Sequence, residues 1–183
     1  MQRSTLAVLL FIVAAPCVAH PDDVSRANDD NRLAFPGHDT HILVTSVASE
    51  SATAVLELAV PAKSVGAPPH RHAKEDEFFY VLEGEVAFFT ADTTHTLNAG
   101  EMITLPRGNL HGFYNNTDAP ARLLLVVSPG QFASFFDAVV MTLRDEGKTA
   151  DVGAVIAEQA AKFDVTIEMQ ALPEEAKKLL KTP

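Results

Sequence analysis

The chain has 183 residues, 24 of them acidic and 14 basic, which gives a formal net charge of −10. This length is expected for one domain with a sizeable core. The acidic balance argues against duplex nucleic acid or an anionic membrane surface as a partner, because such a chain repels phosphate groups.

The N-terminus is typical of an export signal. Arg3 supplies one positive charge, and residues 6–15 form an apolar stretch too short to span a bilayer comfortably. Small residues then predict cleavage between Ala19 and His20, so we assign residues 1–19 to a signal peptide, with a short membrane anchor as the alternative. Cleavage would remove the only cysteine. A cysteine-free exported protein, periplasmic or secreted, is therefore expected, with no stable membrane insertion after cleavage.

The middle of the chain predicts a mainly β domain. Residues 20–37 are polar and rich in Asp and Asn, which predicts a flexible leader. Residues 38–130 carry short β-branched and aromatic runs separated by Gly, Pro, Asn and Asp, which is typical of a small antiparallel β-barrel or sandwich. The expected strands are 41–48, 53–60, 77–82, 85–90, 93–97, 102–105, 111–115 and 121–128.

The C-terminal part, residues 131–183, predicts a helical extension packed outside the barrel. Apolar residues recur at helical spacing from Phe132 to Leu143, with Ser128-Pro129 as a cap and Gly147 as a stop. We expect the phenylalanines to pack on the outside of the barrel rather than to form a cofactor site. Further expected elements are a helix after Asp151, a strand at 165–169 and a short helix that opens at Pro173.

Two imidazoles and a carboxylate are placed together by strand geometry. His70 and His72 are two residues apart, so on a strand both side chains point the same way. Glu77 opens the next strand and shares a face with Phe79 and Val81. An unpaired carboxylate on this apolar face would be costly, and a cation would remove the cost.

A third imidazole comes from His111, which shares its face with Phe113 and Asn115 and follows a glycine- and proline-rich corner. Glu75 and Asp76 compete with Glu77 as ligands, but Asp76 has the opposite parity and Glu75 lies in the turn. Nitrogen and carboxylate ligands without thiolate predict one divalent transition metal: Fe, Mn, Ni, Co, Cu or Zn. The other histidines of the predicted barrel, His38, His41 and His95, are expected at the surface or at strand edges.

These two segments resemble the paired motifs of the cupin superfamily. In the first, written as G, then H-x-H, three or four residues, E, six residues and G, the matching residues are His70, His72, Glu77 and Gly84, with Gly66 nearer His70 than usual. The second, G-x5-P-x-G-x2-H-x3-N, is matched by Gly100, Pro106, Gly108, His111 and Asn115. The resemblance covers about residues 38–130, and the trailing helices resemble those of single-domain, quercetin dioxygenase-like cupins.

The resemblance implies a cupin (jelly-roll) barrel whose metal is bound inside by His70, His72, Glu77 and His111. It implies a dioxygenase-like enzyme for a small, aromatic or flavonol-type substrate, with Glu77 as ligand and base. Phe79, Val81, Phe113 and Asn115 would line the substrate pocket. An isomerase, decarboxylase or hydrolase and a non-catalytic metal- or ligand-binding module stay open, and a homodimer is reasonable because cupins often pair through outer strands.

Overall fold

The computed structural model describes residues 24–180 of the chain. The predicted signal peptide therefore lies outside the described residues. Between residues 24 and 180, no helix combines the length and the apolar character needed to cross a lipid bilayer. The strands of this range are β1 (Arg32–Phe35), β2 (His38–Val44), β3 (Ala54–Val60), β4 (Ser64–His72), β5 (Asp76–Glu83), β6 (Glu85–Thr90), β7 (Thr94–Asn98), β8 (Met102–Leu105), β9 (His111–Asn115), β10 (Ala121–Ser128) and β11 (Val165–Ile167).

The strands form two antiparallel sheets that pack against each other. One sheet has the order β1-β2-β3-β10-β5-β8, and the other has the order β11-β4-β9-β6-β7. The predicted mainly β, antiparallel architecture is confirmed, although the hydrogen bonds of the described strands do not close the two sheets into one continuous barrel. Site residues on β4, β5 and β9 therefore come from both sheets.

The core lies between the two sheets because burial alternates along the strands. In β3 every second residue is buried, beginning at Ala54, and β10 repeats this pattern from Ala121. Successive side chains of a strand point to opposite faces, so the buried set of each strand faces the opposite sheet. Large members of this core are Leu56, Leu58, Phe88, Phe113, Leu123 and Leu125.

One turn between the sheets requires glycine. Gly84 separates β5 from β6 and has a φ of +78°, and a Cβ atom there would lie 2.9 Å from the carbonyl oxygen of Pro120. Glycine adopts this conformation without a steric penalty, whereas other residues do so rarely. The turn carries the chain from the sheet that holds β5 to the sheet that holds β6.

The sequence prediction lacks β4, and it differs from the structure at β1 and β2. β1 lies inside the predicted flexible leader, which is wrong for residues 32–35: this strand pairs with β2, and the ring of Phe35 lies 5.0 Å from that of Phe136. The strand predicted at 41–48 begins at His38 and ends at Val44, because residues 46–48 form a short 3-10 helix. The predicted bounds of β8, β9 and β10 are confirmed.

The helices follow the strands, as predicted. Ser128 is not a helix cap, because it ends β10 and a 3-10 helix, Gly130–Ala133, precedes the first α-helix. The Asp151 carboxylate accepts a hydrogen bond from the backbone of Ala154 and caps the second helix. β11 then pairs with β4 at the edge of the five-stranded sheet. The helices are α1 (Ser134–Glu146), α2 (Val152–Lys162) and α3 (Glu174–Leu179).

Candidate metal centre

Four side chains from three strands meet inside the fold. His70 and His72 lie at the end of β4, and His70 is the direct partner of His111 across the pair β4–β9. Glu77 enters from β5 of the opposite sheet. The ligand atoms of these four residues all lie within 4.8 Å of one another. The two segments that the sequence places about 40 positions apart are thus brought together at one point.

The three histidines are held by hydrogen bonds at the nitrogen that faces away from this point. The Nδ1–H of His70 donates to the carbonyl oxygen of Pro68 at 2.7 Å, and the Nδ1–H of His111 donates to that of Asn109 at 2.9 Å. A carbonyl oxygen can only accept, so both rings carry the proton on Nδ1. Their Nε2 lone pairs are then left to face the cluster.

The contact between His111 and Glu77 is favourable only when a positive charge is present. Nε2 of His111 lies 3.0 Å from Oε2 of Glu77, and Nε2 of His72 lies 3.7 Å from the same oxygen. With Nδ1 of His111 protonated, the neutral ring presents a lone pair to a carboxylate oxygen. A second proton on the ring or a cation bound between the two atoms makes this arrangement favourable.

One buried nitrogen supports the cation rather than the proton. Nε2 of His72 is buried and has no hydrogen-bond partner among the described residues. A buried polar atom left unsatisfied costs about 1–3 kcal/mol. A divalent metal ion would satisfy this atom and the carboxylate of Glu77 together, so the four residues fit such an ion. Three imidazoles and one carboxylate without thiolate suit a first-row transition metal.

The protonation states of the free cluster are also those of metal ligands. Burial alone would raise the pKa of Glu77, but the neighbouring His72, His111 and His70 hold it at about 2. Burial and the charge of His111 lower the pKa of His70 to about 3. Near neutral pH the Glu77 carboxylate is therefore charged and the His70 ring is neutral, the forms that bind a metal.

Glu75 is a site residue that sequence reasoning placed in the turn and set aside. This residue is only 4% exposed, and its Oε2 accepts a hydrogen bond from Nδ1–H of His72 at 3.2 Å. Glu75 therefore accepts the hydrogen bond from Nδ1–H of His72, as backbone carbonyl oxygens do for His70 and His111. The spacing of three residues from His72 was the available signal, but a turn leaves the direction of a side chain open.

A corner between β8 and β9 is tied to the two strands that carry the other ligands. Asp76 accepts hydrogen bonds from the guanidinium and the backbone N–H of Arg107, which hold the pKa of its carboxyl at about 2. The N–H of Gly108 donates to the carbonyl oxygen of His72 at 2.8 Å. The position of His111 relative to β4 and β5 is fixed by these contacts.

A cavity of about 750 Å³ opens beside the cluster and is lined in part by His70 and Glu77. Its wall is largely apolar. The 3-10 helix Gly130–Ala133 and α1 supply three phenylalanines, and α2 and β11 add aliphatic side chains. The side chain of Phe132 meets the ring of His72 edge to face, with centroids 4.4 Å apart. The aromatic residues of the wall are Phe35, Phe79, Phe113, Phe132, Phe135 and Phe136.

The predicted pocket residues divide into two groups. Phe79 and Phe113 line the cavity, whereas Val81 and Asn115 are not among its lining residues within the described range. Val81 is fully buried in the core. The side-chain amide of Asn115 donates to the carbonyl oxygen of Ala119 and its oxygen accepts from Thr117, so Asn115 fastens the turn between β9 and β10.

Sequence reasoning was wrong about two features of the cavity wall. His38, expected at the surface or an edge, is only 4% exposed and lines the cavity. The phenylalanines of the C-terminal part also face inward: Phe132 and Phe136 belong to the main core, although the helices themselves lie outside the sheets. A helical stripe shows that one face is buried, but it does not show what that face packs against.

Comparison with known proteins agrees with the motifs. The Cupin domain family matches residues 56–127. Germin-like protein subfamily 2 member 2 of Arabidopsis thaliana is 44% identical over 62 residues, which cover 31% of this chain and 28% of that protein. An uncharacterized protein of Aquifex aeolicus is 36% identical over 61 residues, which cover 33% of this chain and 50% of that protein. The chain thus spans less than a third of the germin-like relative's length and half of the other's.

The fold is found again in a solved structure. A protein of Thermotoga maritima described as a predicted oxalate decarboxylase superposes with a TM-score of 0.53, covering 57% of this chain and 97% of that one at 19% identity. A likeness at this identity shows the fold alone. The Cupin domain match over residues 56–127, the paired motifs and this shared fold together support the resemblance to the cupin superfamily.

Proposed function

We propose that this chain is an exported, metal-dependent, dioxygenase-like cupin that acts on a small aromatic substrate of the flavonol type. The observation that carries the proposal is that His70 and Glu77 face an apolar cavity of about 750 Å³. A cavity of this volume suits a small organic ligand. Its phenylalanine wall favours a flat aromatic molecule over a free sugar. Export rests on the N-terminal pattern.

The four cluster residues would hold the ion. When bound, a divalent transition metal supplies Lewis acidity that polarises a substrate oxygen and orients the substrate toward dioxygen. His70, His72 and His111 keep their Nε2 atoms aimed at one point through the hydrogen bonds at Nδ1. Phe79, at the inner wall, excludes water from the reacting end of the substrate.

Glu77 would add one further step as the base that takes the proton of the substrate's acidic hydroxyl. A base works best when its pKa lies near the working pH, and the pKa of Glu77 is held at about 2. This low pKa favours the role of ligand over that of base. It is also the observation that favours the alternative function, a non-catalytic module that binds a metal and a small ligand without turnover.

Oxygen uptake separates the two functions. The protein is loaded in turn with Fe, Mn, Ni, Co, Cu or Zn, and dioxygen consumption is measured with quercetin and with catechol. Uptake with quercetin that depends on one of these metals is the result that the proposal predicts. Saturable quercetin binding with no uptake under any metal would support the module instead.

The Glu77→Gln variant tests the base. If Glu77 takes the proton, turnover falls by about 10²–10⁴-fold. Metal affinity should fall far less than turnover, because the glutamine side chain still offers an oxygen ligand. Equal losses of turnover and metal affinity would assign Glu77 to ligation alone. Glu83→Gln, at the exposed end of the same strand, is the matched control and should change neither quantity.

A further inference from the structure

His38 is a buried polar group of the cavity wall that the proposed reaction does not use. It opens β2, and its ring stacks on Phe35 with centroids 5.0 Å apart and an interplanar angle of 25°. On another side the ring of Phe113 lies 6.0 Å away. Nδ1 of His38 forms a hydrogen bond with Oγ1 of Thr40 at 2.9 Å. The ring is therefore fixed in place by aromatic neighbours and by one polar partner.

The metal cluster and His38 lie at different places along the cavity. A Cβ atom on Gly37 would lie 2.6 Å from the carbonyl oxygen of Val65, so the start of β2 packs on β4 at that point. His70 is five residues further along β4. At about 3.3 Å per residue, and with the strand irregular between these points, the separation is on the order of 10–15 Å.

Aromatic side chains line the cavity between the metal cluster and His38. The ring of Phe113 contacts His38 and lies on the same strand as His111, two residues away, or roughly 7 Å. Phe132 contacts His72, and its ring lies 5.6 Å from that of Phe136, which in turn lies 6.0 Å from His38. A flat ligand that reaches from the cluster toward His38 would therefore contact phenylalanine rings.

The chemistry of His38 suits a hydroxyl group. Burial lowers the pKa of His38 to about 4, so the ring is neutral near pH 7. A neutral imidazole has one N–H donor and one acceptor nitrogen. Since Nδ1 is engaged with Thr40, Nε2 is the atom for a ligand. A hydroxyl can both donate and accept, so it can bond to Nε2 in either tautomer.

We propose that His38 determines specificity by forming a hydrogen bond with a hydroxyl at the far end of an aromatic ligand whose near end lies at the metal cluster. The ligand class is thus a planar polyphenol with oxygen functions at both ends, rather than any aromatic molecule. This inference rests on the proposed function, because it takes the near end of the ligand to be held at the metal.

Two flavonols test the inference in the metal-loaded protein. Quercetin carries hydroxyls on its outer rings, whereas 3-hydroxyflavone keeps only the oxygen functions of the central ring. Dissociation constants measured by fluorescence or calorimetry should show quercetin bound about threefold to tenfold more tightly, the worth of one neutral hydrogen bond. The His38→Leu variant should lose this preference by weakening quercetin binding, with 3-hydroxyflavone unchanged.

Control variants keep the test decisive. His38→Gln retains a hydrogen-bonding group and should retain part of the preference, and its binding can be measured if His38→Leu does not fold. His95→Leu replaces an exposed histidine of β7 and should leave both constants unchanged. Equal binding of the two flavonols by the wild type, or equal weakening of both in His38→Leu, would overturn the role of His38 but not the proposed function. If neither flavonol binds, both proposals fail.

Discussion

The two ends of the cavity are built differently. At the metal end, four polar side chains converge within 4.8 Å, and hydrogen bonds orient each imidazole. At the other end, phenylalanine rings and aliphatic side chains form the wall, with His38 as a polar group among them. The metal end depends on the direction of individual atoms, whereas the aromatic end depends on volume and packing.

The two ends also come from different parts of the chain. The metal ligands lie between residues 70 and 111, inside the matched Cupin domain. Phe132, Phe135 and Phe136 of the wall at the other end lie after that domain, as do the aliphatic wall residues of α2 and β11. We infer that the shared domain sets the chemistry of the site and that the segments on either side of it, which include His38 and Phe132, set which ligand fits beside it.

The largest expected effect on packing comes from Phe132→Ala. Phe132 is 4% exposed and packs against His72 and Phe135, so its truncation should lower the free energy of unfolding by about 3–5 kcal/mol. Metal affinity should change by only a few-fold, because Phe132 meets the ring of His72 without bonding to its nitrogens. Urea unfolding and metal titration measure the two quantities.

Phe132→Leu is the matched control. Leucine fills most of the volume of phenylalanine, so the free energy of unfolding should fall by less than half as much. A Phe132→Ala variant with native stability but hundredfold weaker metal binding would contradict the claim that Phe132 serves packing rather than the metal site.

The converse result is expected from Glu75→Ala, which should weaken metal binding and leave the cavity wall intact. The change in free energy should be smaller than that of Phe132→Ala. Removal of the acceptor frees the ring of His72 to rotate, and the loss of such an outer partner typically weakens metal binding by about 10–100-fold. The cavity wall is unaffected, so quercetin binding to the metal-saturated variant should remain within twofold of the wild type. Competition with a chelator of known affinity gives the metal constant, and fluorescence gives the quercetin constant.

Glu83→Ala is the control for this change, because the Glu83 carboxylate at the exposed end of β5 bonds to Arg122 and not to a ligand imidazole. It should leave the metal constant within about twofold of the wild type. Equal losses in the two variants would show that general negative charge, and not the orientation of His72, matters to the site.

Much of the metal end could be predicted from sequence because strand parity is a local rule. Glu77 shares its buried face with Phe79, and Asp76 points the other way, toward Arg107, as the alternation predicts. The paired motifs then identify which strands come together. The bounds of β8, β9 and β10 followed from compact apolar runs between clear turn residues.

The aromatic end could not be predicted because its contacts are long-range. β4 contains Gly66, Pro68 and Pro69, which favour turns, so only its histidines suggested a strand. β1 is a four-residue strand whose anchor, Phe35, packs against α1, about 100 residues away. The burial of His38 depends on the same packing. No local pattern of residues 32–38 shows it.

The metal content of purified protein tests the central claim most directly. The wild type, isolated from its own host and analysed by elemental mass spectrometry, should contain one divalent transition metal per chain. His111→Ala should contain almost none and should lose the rise in melting temperature that added metal gives the wild type. Equal metal content in the two proteins would contradict the assignment of His70, His72, Glu77 and His111 as one metal site.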